Sequence, residues 1–215
     1  MTIAEAVSDK LLQINAIKLS PQKPFTWASG LKSPIYCDNR IVLSHPTTRN
    51  FIVEQFREKA QEMAPFDVIA GVATAGIPHG VLLASLMELP FVYVRSSAKA
   101  HGRQNQIEGK LEPGQRVLVI EDLISTGGSC LQAVECLRAV EANVVGVLAI
   151  FTYGFEKAQQ AFAEAKCAVA TLSHYDVLIK LAAERHYISA DDQKTLQAWR
   201  ENPQDWSEQQ KKYDL

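Results

Sequence analysis

The sequence predicts an α/β protein, an open and mostly parallel sheet of five strands flanked by helices. Three observations carry that expectation. Short apolar runs rich in β-branched residues recur along the chain, and segments with apolar residues at helical spacing lie between them. The runs are continuous rather than alternating, as a strand requires when helices cover both of its faces. Finally, 215 residues with 47% apolar content suit one domain, or one domain with a small appended subdomain, around a sizeable core.

In chain order, residues 3–17 place Ile3, Val7, Leu11 and Ile14 along one face of an opening helix. A loop-rich stretch over 20–44 follows, holding Pro21, Pro24, Gly30 and Pro34, with a short strand at 34–38. Pro46 and Pro65 bracket a second helix over 47–63. The alternating part then begins: strand 67–72, helix 76–88, strand 90–94, strand 116–120, helix 129–140, strand 143–150, helix 155–165 and strand 167–172. A closing amphipathic helix opens at Tyr175. The polar tail over 204–215 is expected to fray, while Trp199 and Trp206 dock on the domain.

Composition excludes several function classes. A net charge of −2 argues against nucleic-acid binding, which calls for a basic excess. Cys37, Cys130, Cys136 and Cys167 form no Cys-x-x-Cys pair, and no histidines stand at zinc-ligand spacing, so the thiols read as buried or incidental in a reducing compartment. His45, His79, His174 and His186 read as structural or surface residues. Residues 1–10 carry Glu5 and Asp9 and lack the order of a signal peptide, and no run approaches the roughly 18 apolar residues of a membrane span. A cytoplasmic protein with no membrane partner is expected.

The chemistry concentrates in residues 117–129. A buried strand ends on Glu121 and Asp122, and the loop Leu123-Ile124-Ser125-Thr126-Gly127-Gly128-Ser129 then opens a helix. Backbone N–H groups at a helix start form an anion site, and glycines let an oxyanion approach closely. Ser125, Thr126 and Ser129 add hydroxyl donors. The lysine of a nucleoside-triphosphate loop is absent. Carboxylates beside a phosphate cradle suit a ligand presenting both a phosphate and a sugar diol.

This block resembles the phosphoribosyl-pyrophosphate signature of the type I phosphoribosyltransferases. The resemblance implies that residues 125–129 hold a 5′-phosphate and that Glu121 and Asp122 contact the ribose hydroxyls. It further implies that family's fold, with a hood from about residues 1–45 plus the C-terminal part and a core over about 60–175, all within one domain, 1–215. Magnesium would come with the substrate, near Glu121 and Asp122, and no protein metal cage is implied.

Further segments are similar to those of orotate phosphoribosyltransferases. The spacing Arg95-x-x-x-Lys99-x-His101-Gly102 resembles their catalytic loop, which implies a lid over 95–110 that contacts pyrophosphate and is shared across a homodimer. Lys99, His101 and Asp122 are the catalytic candidates, with Arg95 beside them. Ser29-Gly30-Leu31-Lys32-Ser33-Pro34 resembles the segment that lies over the orotate ring, and Gly71 to Pro78 the turn that borders the pyrophosphate. Orotate would then be met by Ser125, Lys32, Tyr36 and Tyr153. Where some relatives carry lysines this chain has Ala28, Ala75 and Ser96, and Phe151 to Gly154 stands where certain relatives place an arginine. The implied activity is orotate phosphoribosyltransfer. The rivals are a purine phosphoribosyltransferase with the same donor site, and a phosphoribosyl-pyrophosphate-sensing regulator that binds DNA, for which residues 1–20 are too short and too weakly basic.

Overall fold

The computed structural model of the chain describes residues 1–27, 29–96 and 106–211. They divide into two compact units, one of residues 1–42 with 173–215 and the other of residues 43–172.

The first unit opens with helix α1 (Ile3–Gln13), started by a capping box in which Thr2 and Glu5 satisfy each other's backbone N–H groups. The helix ends four residues before the expected Ile17. Asn15 takes a positive φ of 56°, and the Ala16 N–H turns back to the Leu11 carbonyl at 2.9 Å. This frees β1 (Ile17–Leu19) to pair antiparallel with β4 (Ile35–Cys37). Between them β2 (Phe25–Thr26) and β3 (Lys32–Ser33) form a second small hairpin. The stretch over 20–44 thus holds more strand than its prolines suggest.

The second unit contains α2 (Pro46–Gln61), β5 (Val68–Val72), α3 (Gly76–Met87), β6 (Phe91–Val94), β7 (Ile107–Glu108), β8 (Arg116–Ile124), α4 (Gly128–Arg138), β9 (Asn143–Thr152) and α5 (Glu156–Glu164), and β10 (Val169–His174) leads out of it. The sheet order is β10-β9-β8-β5-β6-β7. β5 pairs in parallel with β6 and with β8, β8 pairs in parallel with β9, and β7 lies antiparallel on β6. The sheet has one strand more than the expected five, because β7 is only two residues long and carries no periodicity to read. The middles of the central strands are fully buried, with Val68, Ile69, Ala70, Val117, Leu118, Val119 and Ile120 all at 0% exposure. Continuous apolar runs are the mark of that position.

From β5 the chain steps one way to β6 and later returns on the other side through β8 and β9. The carboxyl ends of β5 and β8 therefore flank the point where the connections part, where open α/β sheets place their ligands. At the opposite end the same two strands are clamped. Arg116 reaches Asp67 through Nε at 2.9 Å and a second guanidinium N–H at 2.5 Å, while the Asp67 N–H donates to the Arg116 carbonyl at 2.8 Å.

The first unit closes with α6 (Tyr175–Glu184), α7 (Ala190–Glu201) and α8 (Pro203–Lys211). The expected fraying of 204–211 is corrected by α8. Trp206 is 7% exposed, and the Ser207 hydroxyl accepts from the Lys32 N–H at 2.8 Å, so apolar burial and a hydrogen bond hold the polar helix down. Trp199 is wholly buried, edge-on to Trp27, and the Tyr175 hydroxyl donates to the Leu196 carbonyl at 2.9 Å.

The Arg116 guanidinium holds the Asp67 carboxyl down at about 2 from an ordinary value of 3.8. A carboxyl with a lowered folded-state pKa stabilises the fold fully above its unfolded value and ceases to do so as pH falls toward the folded one. Asp67→Asn is therefore expected to flatten the fall of Tm between about pH 4 and pH 2. An unchanged acid slope in calorimetric scans would show that the clamp contributes nothing.

Candidate active site

β8 does not stop at Ile120 as the sequence suggests. β9 runs beside it as far as Thr152, pairing Glu121 with Ala149, Leu123 with Phe151 and Ile124 with Thr152, so the acids lie within the strand itself. Glu121 is 5% exposed. Its Oε1 accepts the Asp122 N–H at 2.9 Å, and its Oε2 lies 3.5 Å from both the Ser129 hydroxyl and the Cys130 thiol. Burial first, then the charge of Asp122, pushes the Glu121 carboxyl well above the usual carboxylate range. Burial likewise raises the Cys130 thiol. Asp122 is only partly covered.

The loop beyond the acids keeps Ser125 half-buried and leaves Thr126, Gly128 and Ser129 exposed. Gly127 stands at the head of α4 with φ +82°, and no side chain caps the helix. A Cβ on Gly127 would come within 2.9 Å of the Phe162 ring, whereas one on Gly128 would meet open space. The first N–H groups of α4 thus have no side-chain acceptor, which makes them an anion-binding end. Ile124 is buried in the core, so only its backbone could meet a ligand, and its carbonyl already accepts the Thr152 hydroxyl and the Tyr153 N–H, each at 3.1 Å.

The turn from β5 to α3 lies against the same strand end. A Cβ on Gly76 would run into the Ile120 carbonyl, and one on Gly71 would come within 2.9 Å of the Ile77 Cα. The Ala73–Thr74 peptide is cis, and α3 starts after its N-cap residue Ala75 without a side-chain cap.

The other sequence candidates fall as follows. Tyr153 is 2% exposed, its ring stacked on Phe155 and edge-on to Phe151. Arg95 lies 3.7 Å from Glu108. Arg95 and Gln106 exchange hydrogen bonds, Arg95 N–H to the Gln106 carbonyl at 2.9 Å and Gln106 Nε2 to the Arg95 carbonyl at 3.1 Å. Lys99 and His101, and most of the 95–110 segment between these anchors, lie outside the described residues. Lys32 and Tyr36 belong to the first unit, Lys32 in β3 and Tyr36 in β4 with its ring 5.7 Å from that of Phe25. Among the described residues no cluster of three or more His, Cys, Asp or Glu could hold a metal. None of the four cysteines is in a disulfide. No described helix is long and apolar enough to cross a membrane.

Sequence reasoning missed Cys130, Thr152 and Gln106. Each acts on a site residue distant in the chain, and nothing in local spacing announces such a partner.

A strand-end acid pair beside an uncapped helix start, at the parting point of a parallel sheet, is the arrangement of a sugar-phosphate transferase, and residues 50–182 match the family model of the phosphoribosyl transferase domain. An orotate phosphoribosyltransferase of Listeria monocytogenes is 52% identical over 207 residues, 96% of this chain and 99% of that protein. One of Streptococcus thermophilus is 52% identical over 209 residues, 97% of this chain and 100% of that protein. The crystal structure of orotate phosphoribosyltransferase from Aeropyrum pernix superposes with a TM-score of 0.73 at 26% identity, covering 85% of this chain and 99% of that one. The chain belongs to the orotate phosphoribosyltransferase branch of the phosphoribosyl transferase family.

Gly127→Ala is expected to destabilise the protein by about 1–3 kcal/mol, since the left-handed backbone and the Phe162 contact both oppose a Cβ. Urea unfolding measures this, and a midpoint equal to that of the parent would refute it.

Proposed function

We propose that this chain transfers the ribosyl 5-phosphate group of phosphoribosyl pyrophosphate to orotate, in the cytoplasmic synthesis of pyrimidine nucleotides. The bond from the ribose anomeric carbon to the pyrophosphate oxygen breaks, a bond to N1 of orotate forms, and orotidine 5′-monophosphate and pyrophosphate leave. What carries the reading is the meeting of the Glu121–Asp122 strand end with the uncapped start of α4, in a chain whose relatives bear that enzyme's name.

The α4 N–H groups and the hydroxyls of Ser125, Thr126 and Ser129 take the 5′-phosphate, with Leu123, Ile124, Gly127 and Gly128 offering backbone alone. Glu121 and Asp122 meet the ribose diol, and the Asp122 carboxylate offsets positive charge growing on the ring. Orotate is already an anion at the attacking nitrogen, so positioning and charge stabilisation dominate over base catalysis. Arg95, Lys99 and His101 hold the leaving pyrophosphate, and closure of the 95–110 segment excludes water. Ser125, Lys32, Tyr36 and Tyr153 are assigned to orotate, on the register of the motifs.

Two adjacent carboxylates are hard oxygen donors but too few for a metal cage, which fits a magnesium ion that keeps water and substrate oxygens as its other ligands. When bound with the donor at Glu121 and Asp122, magnesium supplies charge neutralisation for the pyrophosphate. The working unit is a homodimer whose subunits exchange the 95–110 segment. Val81 and Leu86 on α3 are 43% and 42% exposed, apolar surface of the kind that a second copy covers.

With phosphoribosyl pyrophosphate and magnesium present, orotate alone among orotate, uracil, adenine, hypoxanthine and xanthine is expected to be consumed, as followed by pyrophosphate release. Consumption of a purine instead would overturn the assignment. Lys99→Ala and Asp122→Asn subunits, each expected to lose at least roughly tenfold in turnover, should regain part of it when mixed, because a hybrid dimer restores one intact shared site. Hybrids verified by mass that stay inactive would refute the exchange.

A further inference from the structure

We propose that Cys130 is a positioning residue for donor binding, its thiol holding the buried Glu121 carboxyl group in the orientation that meets the ribose diol. The inference rests on the assignment of Glu121 to that diol. Glu121 has a long, jointed side chain brought inside the protein, and its carboxylate must be oriented by donors or be free to turn. The Asp122 N–H fixes Oε1 at 2.9 Å. Oε2 is met by Ser129 and Cys130, each at 3.5 Å, and the Asp122 side chain also bonds the Glu121 carboxyl.

Those two differ in what else they can do. Ser129 is exposed in the phosphate loop, where an incoming phosphate competes for its hydroxyl. Cys130 is at 0% exposure, packed in the core cluster with Ala133 and Val134, and no such ligand can reach it. Once the phosphate has drawn Ser129 away, the thiol remains as the side-chain donor to Oε2. The 3.5 Å separation lies within the longer reach of sulfur, and the bulk that fills the cluster also carries the S–H. Cys130 never touches the substrate; it acts through Glu121.

Replacement by valine keeps the bulk and removes the donor, and replacement by serine keeps a donor and sheds bulk. Titration calorimetry with phosphoribosyl pyrophosphate and magnesium is expected to show C130V weakened by roughly three- to tenfold, the range of one lost buried hydrogen bond through a weak donor. C130S should stay within about twofold of the parent, and the KM for orotate at saturating donor should hold for both, since the lost bond touches only the donor side. Should C130V not accumulate as folded protein, C130A makes the same comparison. Serine behaving as valine does, or donor affinity and orotate KM moving together, overturns the inference and leaves Cys130 as packing. Glu121→Gln separates the two layers. If it weakens donor binding and C130V does not, the inference falls alone; if it leaves donor binding untouched, the assignment of Glu121 falls and the inference with it. Independently of activity, the infrared S–H band that disappears in C130A should shift in E121Q, because an amide replaces the carboxyl acceptor. A band unmoved by E121Q would also overturn the inference.

Discussion

Glu121 lies at 5% exposure at the carboxyl end of a central strand, and a carboxylate there costs several kcal/mol unless donors meet it. The chain just beyond it supplies them. The Asp122 N–H is the nearest, and the loop then has to curl back far enough for residues 129 and 130 to face Oε2. That return is what sets the start of α4 beside the acid pair. The requirement that satisfies a buried carboxyl therefore also brings an uncapped helix start beside the acid pair.

Close backbone approach makes the same edge stiff. Gly76 puts the head of α3 on the Ile120 carbonyl, and Gly71 lets β5 lie against Ile77. On the other flank Thr152 bridges two segments, donating to the Ile124 carbonyl while accepting the Gly154 N–H, each at 3.1 Å. Little of this region can shift without backbone meeting backbone. The reciprocal bonds between Arg95 and Gln106 give the 97–105 segment a fixed stem as well, and the Cys136 thiol on α4 braces it by donating to the Gln106 amide oxygen at 3.3 Å. α4 thus touches the acid pair at its first turn and the stem of that segment at its last.

Much of this was legible in the sequence, for physical reasons. Strands buried on both faces have to be apolar throughout, so 67–72, 116–120 and 143–150 announced themselves. The acid pair and the glycine loop were legible because their chemistry is contiguous. β7 was not, since two residues carry no period, and neither was the continuation of β8 through Glu121 and Asp122, because what holds those residues in a ladder is β9 alongside. α8 is polar along its length and gained its order from Trp206 and Ser207, contacts made with distant parts of the chain. Cys130 read as an incidental thiol because its partner stands nine positions earlier, on a strand.

The charge inventory explains why the backbone has to carry so much. Phosphoribosyl pyrophosphate is strongly anionic, orotate adds a further negative charge, and the chain itself has net charge −2. Two helices start at the carboxyl edge of β5 and β8, α3 after Ala75 and α4 after Gly127, and neither start is capped by a side chain. Each presents unsatisfied N–H groups and the positive end of its dipole. Such donors need no counter-ion or side-chain ordering and are fixed in place by the glycine contacts around them. In the proposed reaction, the positive charge that meets the donor is shared out among helix ends, Arg95, Lys99, His101 and the ion that arrives with the donor.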